Sequence, residues 1–387
     1  MRALMLVWTN VANDARVLRE AAALGEAGHQ VHVVGRDVPD GFVPPPGVTV
    51  SSAGGTSGLK RAAGGAAASR STPVRAARWA LLPSHVAAAH RSWVEAAARD
   101  AAGREFDVVH AHDFTALPLG ARLARDRRVP YVYDTHEFWP GRPRHGRPTP
   151  LVRRREMAAE RHLGAAAVAV LTVGPGVADR LRSVYGWPHV TVVRNTFPAR
   201  LQDDPPLPEV PVGAVYAGRI APYREIETIA RAVPRLAPLA VTLVGPADPT
   251  YLAGLDTGGA GVMAPVPVDE VDVLLRRNGL ALVTHSDRWV NHRLALPNKL
   301  FHAVHAGVPV VATDVEELGR VVRDHGIGTL YRPGDADGLV RAVREAVARY
   351  PELLAAVRRA APELSWAHDA DALLAVYRDI ERAGVAP

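Results

Sequence analysis

The 387-residue sequence contains no cysteine, which excludes a disulfide framework and any thiolate-bound metal, and fits a reducing compartment. It also has no run of 18 apolar residues, so no membrane-spanning helix is expected. The chain opens on the strand-like stretch Ala3-Leu4-Met5-Leu6-Val7 without a basic leader; the expectation is a soluble, cytoplasmic protein. Lysine is almost absent: Lys60 and Lys299 are the only two among 46 basic residues. Where arginine is the default, a lysine is informative. Lys60 lies in a Gly/Ala-rich stretch and carries no motif, whereas Lys299 stands in a patterned segment described below.

The chain is long enough for two domains, because a single core stops growing at roughly 250–300 residues. Hydrophobic residues make up 48% of it, enough for two ordinary cores. Net charge is +6, split into +11 over residues 1–200 and −5 over the remainder. A basic first half and an acidic second half imply that only the first half meets something anionic. Nucleic acid is not the expected partner, since no helix-turn-helix, zinc-finger or RNP-type aromatic pattern accompanies the charge.

Strand and helix patterns alternate. An apolar strand over 3–8 is followed by a helix over roughly 14–27, whose buried face is Val17, Leu18, Ala21, Ala22 and Leu24, and Gly28 ends it. Further strands are expected at 31–34, 108–111, 131–133 and 167–171, then at 212–217, 240–244, 280–283 and 308–312. Such alternation specifies parallel, doubly wound sheets. Residues 52–75 read as a mobile surface loop. Prolines 198, 205, 206, 208 and 211 mark a change of domain, and an amphipathic helix closes the chain over 364–380. The expected division is a first domain over 1–198, a second over 199–363, and a final helix over 364–387.

Ligands of open α/β sheets bind beyond the carboxyl ends of the strands. At those exits stand Thr9, Asn10, His112, Asp113, Asp134, His136 and Glu137 in the first domain, and Gly218, Arg219, Gly245 and Thr284-His285 in the second. Gly218-Arg219 leaves a strand toward a helix expected to begin near Arg224, and two arginines there can supply bidentate donors to a diphosphate. Leu296-Pro297-Asn298-Lys299 precedes another helix, whose first N–H groups point along its axis toward an anion. Asp335-Ala336-Asp337 follows Pro333-Gly334 like a helix cap, so no metal site is assigned to it.

The succession "NDARVLREAAALGEAGHQVHVV", "HAHDFTALP", "YDTHEFWP", "YAGRIAPYREIE", "LPNKLFHAVHAGVPVVATDVEEL" and "SWAHDADALLAVYRDI" resembles family 4 of the retaining glycosyltransferases. The resemblance implies the GT-B fold, two Rossmann-like domains facing a central cleft, and the final helix crossing back onto the first domain. It also implies transfer of a sugar from a nucleotide diphosphate with retained configuration. No metal or other cofactor is implied, because basic residues and helix termini neutralise the diphosphate.

By the same resemblance Arg219 matches a phosphate-binding arginine, Arg224 stands where a lysine is usual, and His136 matches a histidine near the sugar. Lys299 and the backbone of Leu296, Pro297 and Asn298 match the loop under sugar and diphosphate, with Gly218 beside it. His136, Arg219 and Lys299 are the expected catalytic residues. The family commonly carries two glutamates eight positions apart, one near the sugar and one on the ribose; here Leu294 and His302 replace them. Sugar recognition must then differ, and His302 is left with one ribose hydroxyl to contact or a packing role. Asn13, Asp14 and Arg16 sit where an acceptor is met, although Asp14 equally reads as a helix cap. His112, Asp113 and Glu137 join them on the acceptor side. The acid-free run from Arg142 through Arg144, Arg147 and Arg153 to Arg155 suits an anionic acceptor, a membrane surface or a solvated loop. Expected partners are a nucleotide sugar and a small-molecule, glycan or lipid-linked acceptor. A nucleotide-sugar epimerase and a catalytically silent sugar-nucleotide-binding protein are the competing readings.

Overall fold

The computed structural model describes residues 1–54, 72–142, 150–198 and 205–384, with side chains from 86 onward in the second stretch. Residues 55–71, which include Lys60 and most of the loop read over 52–75, lie outside the described residues, as do Arg144 and Arg147.

Two parallel sheets form. The first holds β1 (Arg2–Leu6), β2 (Gln30–Gly35), β3 (Val48–Ser52), β4 (Val108–His112), β5 (Tyr131–Thr135), β6 (Ala169–Thr172) and β7 (Val190–Val192). Their spatial order is β3-β2-β1-β4-β5-β6-β7. The second holds β8 (Gly213–Ala217), β9 (Ala240–Val244), β10 (Gly261–Met263), β11 (Gly279–Val283), β12 (Val310–Thr313) and β13 (Gly328–Tyr331). Its order is β10-β9-β8-β11-β12-β13. In both, the first strand of the domain sits inside the sheet and the order reverses beside it, which opens a crevice at the carboxyl ends of the strands. β4, β5 and β11 are buried at every residue, as central strands covered by helices on both faces must be.

The helix Ala15–Glu26 shows how sequence sets position. Asp14 caps it, Oδ1 accepting from the Val17 N–H, and Thr9 Oγ1 donates to the other carboxylate oxygen at 2.8 Å. Val17, Ala21 and Leu24 bury against the first sheet. The helix stops before Gly28, whose φ of +89° a side chain would resist. The last helix, Trp366–Gly384, drives Leu373 and Tyr377 into the same core as Ala3, Met5, Val33 and Val132. Residues from the far end of the chain thus complete the first domain.

Two strand exits of the second sheet touch. A Cβ on Gly245 would stand 2.2 Å from the Gly218 carbonyl oxygen, so only a residue without one lets these loops meet. We expect Gly245→Ala to destabilise the protein by roughly 1–3 kcal/mol, seen as a lower urea midpoint. Gly254→Ala, where a Cβ meets nothing closer than 3.8 Å, is the control. Equal midpoints would show that the two exits do not constrain each other.

Candidate active site

The carboxyl ends of the two sheets face each other across a cleft of about 540 Å³. Asn13, Asp14, His136 and Glu137 line it from the first domain, and Arg224, His285, His292, Leu296 and Asn298 from the second. Two hydrogen bonds span it: Asn291 Nδ2 donates to Glu137 Oε2 at 2.6 Å, and Asn195 Nδ2 donates to Asn298 Oδ1 at 2.9 Å.

On the first-domain side the chemistry converges on His136. One ring nitrogen stands 3.2 Å from Asp134 Oδ2 and the other 3.4 Å from Asp113 Oδ2. Burial by itself disfavours the imidazolium, but the Asp113 and Asp134 carboxylates outweigh it and hold His136 up at about 9. At neutral pH it is a cation. Asp113 adopts φ +61° at the mouth of its helix, a conformation uncommon outside glycine, of the kind that clusters at functional sites.

Behind His136 lies a buried layer that corrects two expectations. Arg16, assigned to the acceptor, is 4% exposed and forms a bidentate pair with Asp134 at 2.8 and 2.7 Å. Its remaining nitrogen donates to the Val193 carbonyl at 2.6 Å. His112, also placed on the acceptor side, is 0% exposed, with Nδ1 3.0 Å from Asp134. Arg16 touches the cleft lining with every guanidinium nitrogen already paired, and His112 keeps an unpartnered but buried Nε2; both brace Asp134. Burial pushes Asp134 upward, yet Arg16 and His136 hold it well below the usual carboxylate range.

Glu20 and His110 complete this layer; both lie in the quoted segments NDARVLREAAALGEAGHQVHVV and HAHDFTALP, but the resemblance assigns neither a role. His110 Nδ1 lies 2.9 Å from the Tyr377 hydroxyl and its ring stacks on His112 at 4.5 Å. Glu20, His110, His112 and Asp134 bring one potential ligand atom each within 4.8 Å of one another. The Arg16 guanidinium, 3.0 Å from Glu20 and paired with Asp134, already supplies the positive charge that a metal would bring. The cluster is therefore read as a buried ion-pair network.

The second-domain side is cationic. Lys299 lies on the first turn of the helix Asn298–His305, its Nζ 4.7 Å from the Tyr216 ring centroid and its Cδ against Gly218. Burial, then the Arg224 guanidinium, pushes its ammonium down to about 7. Thr284 Oγ1 donates to the Arg224 carbonyl at 2.7 Å and fixes that backbone. Next to these stand His285 and His292, rings 4.4 Å apart. Burial and the neighbouring cations hold them at about 3 and about 4, so both are neutral. Ser286 Oγ pairs with His292 Nδ1 at 2.7 Å. The strand-exit rule pointed to His285; no sequence signal joined His292 to it.

Arg219, expected at the diphosphate, is exposed and is not among the residues that line the cleft, and its guanidinium has no partner among the described residues. His302 makes the packing contacts expected as the alternative to a ribose contact: Nδ1 lies 3.4 Å from Asp272, and its ring packs on Phe197 at 4.1 Å. Leu294 is buried within the hydrophobic cluster of the first domain. It joins the domains instead of facing a sugar.

The sequence comparisons decide the family. Residues 15–199 match the family described as Glycosyltransferase Family 4, and residues 212–349 match Glycosyl transferases group 1. A D-inositol 3-phosphate glycosyltransferase of Nocardioides sp. is 30% identical over 351 residues, spanning 77% of this chain and 72% of that protein. The chain belongs to the GT-B glycosyltransferases. Sucrose-phosphate synthase of Thermosynechococcus elongatus shares the glycosyltransferase's architecture with a TM-score of 0.73 at 17% identity, covering 99% of this chain and 100% of the other. HepE of Anabaena, solved with UDP-glucose, superposes with a TM-score of 0.63 at 14% identity over 99% of each chain. Among the described residues of this glycosyltransferase, no helix is long and apolar enough to cross a membrane.

Proposed function

We propose that this glycosyltransferase moves a sugar from a nucleotide diphosphate donor with retention of anomeric configuration and without a metal ion. The observation that carries the reading is the pair Lys299 and Arg224: Arg224 lines the cleft, and Lys299, on the first turn of the adjoining helix, is pushed toward neutrality by burial and then by Arg224. Such a site is short of negative charge, and a diphosphate supplies it.

Donors aimed at the phosphate stabilise the charge that develops as the glycosidic bond to the diphosphate breaks. Exposed Arg219, just after β8, would add a further guanidinium. The acceptor hydroxyl approaches on the face the diphosphate is leaving and delivers its proton to the departing phosphate oxygen. The new bond therefore forms on the face of the old one. His136, cationic at neutral pH and with both ring nitrogens engaged by Asp113 and Asp134, is unsuited to act as a general base; it holds a fixed positive charge on the cleft wall beside the sugar and its departing diphosphate. The neutral imidazoles of His285 and His292 offer both donor and acceptor capacity to sugar hydroxyls.

The acceptor enters past Asn13, Asp14 and Glu137, and belongs to the small-molecule, glycan or lipid-linked classes. The Nocardioides relative is named for an inositol phosphate, a polyol bearing an anion. For a lipid-linked acceptor, exposed Leu151 and Val152 beside Arg153, Arg154 and Arg155 offer the apolar and cationic contacts of a membrane surface.

The test is a panel of UDP, GDP, ADP and dTDP sugars with candidate acceptors in the presence of EDTA. Nucleoside diphosphate should be released only when acceptor is present, and the product should keep the donor's anomeric configuration by NMR. Arg224→Ala should lower kcat/KM about a hundred- to a thousandfold with the thermal transition preserved. An inverted product, a requirement for a divalent ion, or unchanged transfer by Arg224→Ala would each sink the reading.

A further inference from the structure

Between β7 and the second domain, Arg194, Asn195 and Thr196 form a short strip with one accessible residue between two buried ones. Asp369, on the final helix and 1% exposed, holds both neighbours. Its Oδ1 accepts from the Arg194 backbone N–H at 3.1 Å and from Arg194 Nε at 3.0 Å, and its Oδ2 accepts from Thr196 Oγ1 at 2.6 Å. The strip is pinned at its ends as well. The Val193 carbonyl accepts from Arg16, and the Phe197 carbonyl accepts from the Trp366 N–H at 2.8 Å. With Arg194 and Thr196 tied to one carboxylate, the side chain between them lies in the cleft wall, close to His136, Arg224 and Asn298.

The Asn195 amide is oriented from both ends. Its Oδ1 accepts from Arg19, and its Nδ2 donates to Asn298 on the Leu296-Pro297-Asn298-Lys299 segment. An amide fixed at the junction of the two domains, with spare lone-pair and N–H capacity toward the cleft, suits a hydroxyl that both donates and accepts.

We propose that Asn195 contacts the donor sugar, and that Asp369 is a positioning residue that acts only through Asn195. The inference rests on the donor site assigned above, and it gives the crossing helix a part in substrate recognition.

The test is a double-mutant cycle on donor KM and kcat. Asn195→Ala should raise donor KM about tenfold with kcat changed less than threefold. Asp369→Asn should raise KM severalfold although it touches no substrate, and the double variant should be no worse than Asn195→Ala alone. Asp369→Glu, which restores the charge, should recover part of the loss. If Asp369→Asn does not fold, Thr196→Val removes one carboxylate contact while leaving the ion pair, and takes its place in the cycle. An unchanged KM in Asn195→Ala, or effects that multiply in the double variant, would overturn the proposal. Arg224→Ala separates the two levels. Loss of donor binding there, with Asn195→Ala silent, rejects this inference alone; no loss in either rejects the donor site itself.

Discussion

Replacing His136 with alanine is expected to lower kcat about a hundred- to a thousandfold, the range seen when a single preorganised electrostatic group is removed from a charged transition state. His136→Gln, which keeps a polar side chain between Asp113 and Asp134 but not the charge, should fall between alanine and the native enzyme. The charge also predicts a pH signature. His136 is raised from 6.5 to about 9 in the fold, so its contribution to stability is fully present below about 6.5 and is lost as pH rises through about 9. The stability gap between native enzyme and His136→Gln, from urea titrations, should therefore narrow between pH 6 and pH 9.5. Lys299 shifts stability in the opposite sense over part of this range, but it is common to both proteins and cancels. A gap that stays constant or widens would show that Asp113 and Asp134 do not hold a proton on this ring.

Donor binding above neutral pH should draw a proton from solution. Lys299 stands at about 7 when the cleft holds no anion, because burial and Arg224 disfavour its charged form. A diphosphate placed beside it reverses the balance and raises it again. At pH 8, calorimetry in two buffers of different ionisation enthalpy should report uptake of up to about one proton per nucleoside diphosphate bound. Lys299→Met should abolish that uptake and weaken binding by roughly 1.5–3 kcal/mol, about 10- to 150-fold. Buffer-independent heats with undiminished affinity in Lys299→Met would remove Lys299 from the phosphate site.

Those two residues illustrate what the sequence could and could not tell. Strand exits followed by helix starts are local patterns, so His136, Arg224 and the segment around Lys299 were legible from order alone, and so was the doubly wound architecture. What lies behind them was not. Arg16 and His112 occupy strand-exit and helix-start positions just as His136 does, and only the depth of the fold separates a residue on the cleft from one behind it. Glu20 and His110 lie on the buried faces of a helix and a strand, where a polar residue breaks the apolar pattern without naming its partner. His292 lies in the five-residue helix Val290–Leu294 and Asn195 in a short connection, neither long enough to show a periodicity. Leu294 was misleading for a different reason: a position compared with a sugar-binding glutamate is spent here on an apolar contact between the domains.

The final helix has a consequence for synthesis. Leu373 and Tyr377 fill the first sheet's core, yet they emerge from the ribosome after the whole second domain. Until then the part of that sheet face not covered by the helix Ala15–Glu26 stays exposed, and the ion-pair network behind His136 lacks the Tyr377 hydroxyl at His110. The order of translation thus makes the first domain the last to finish folding, and its waiting apolar face is the surface on which a holding chaperone would act.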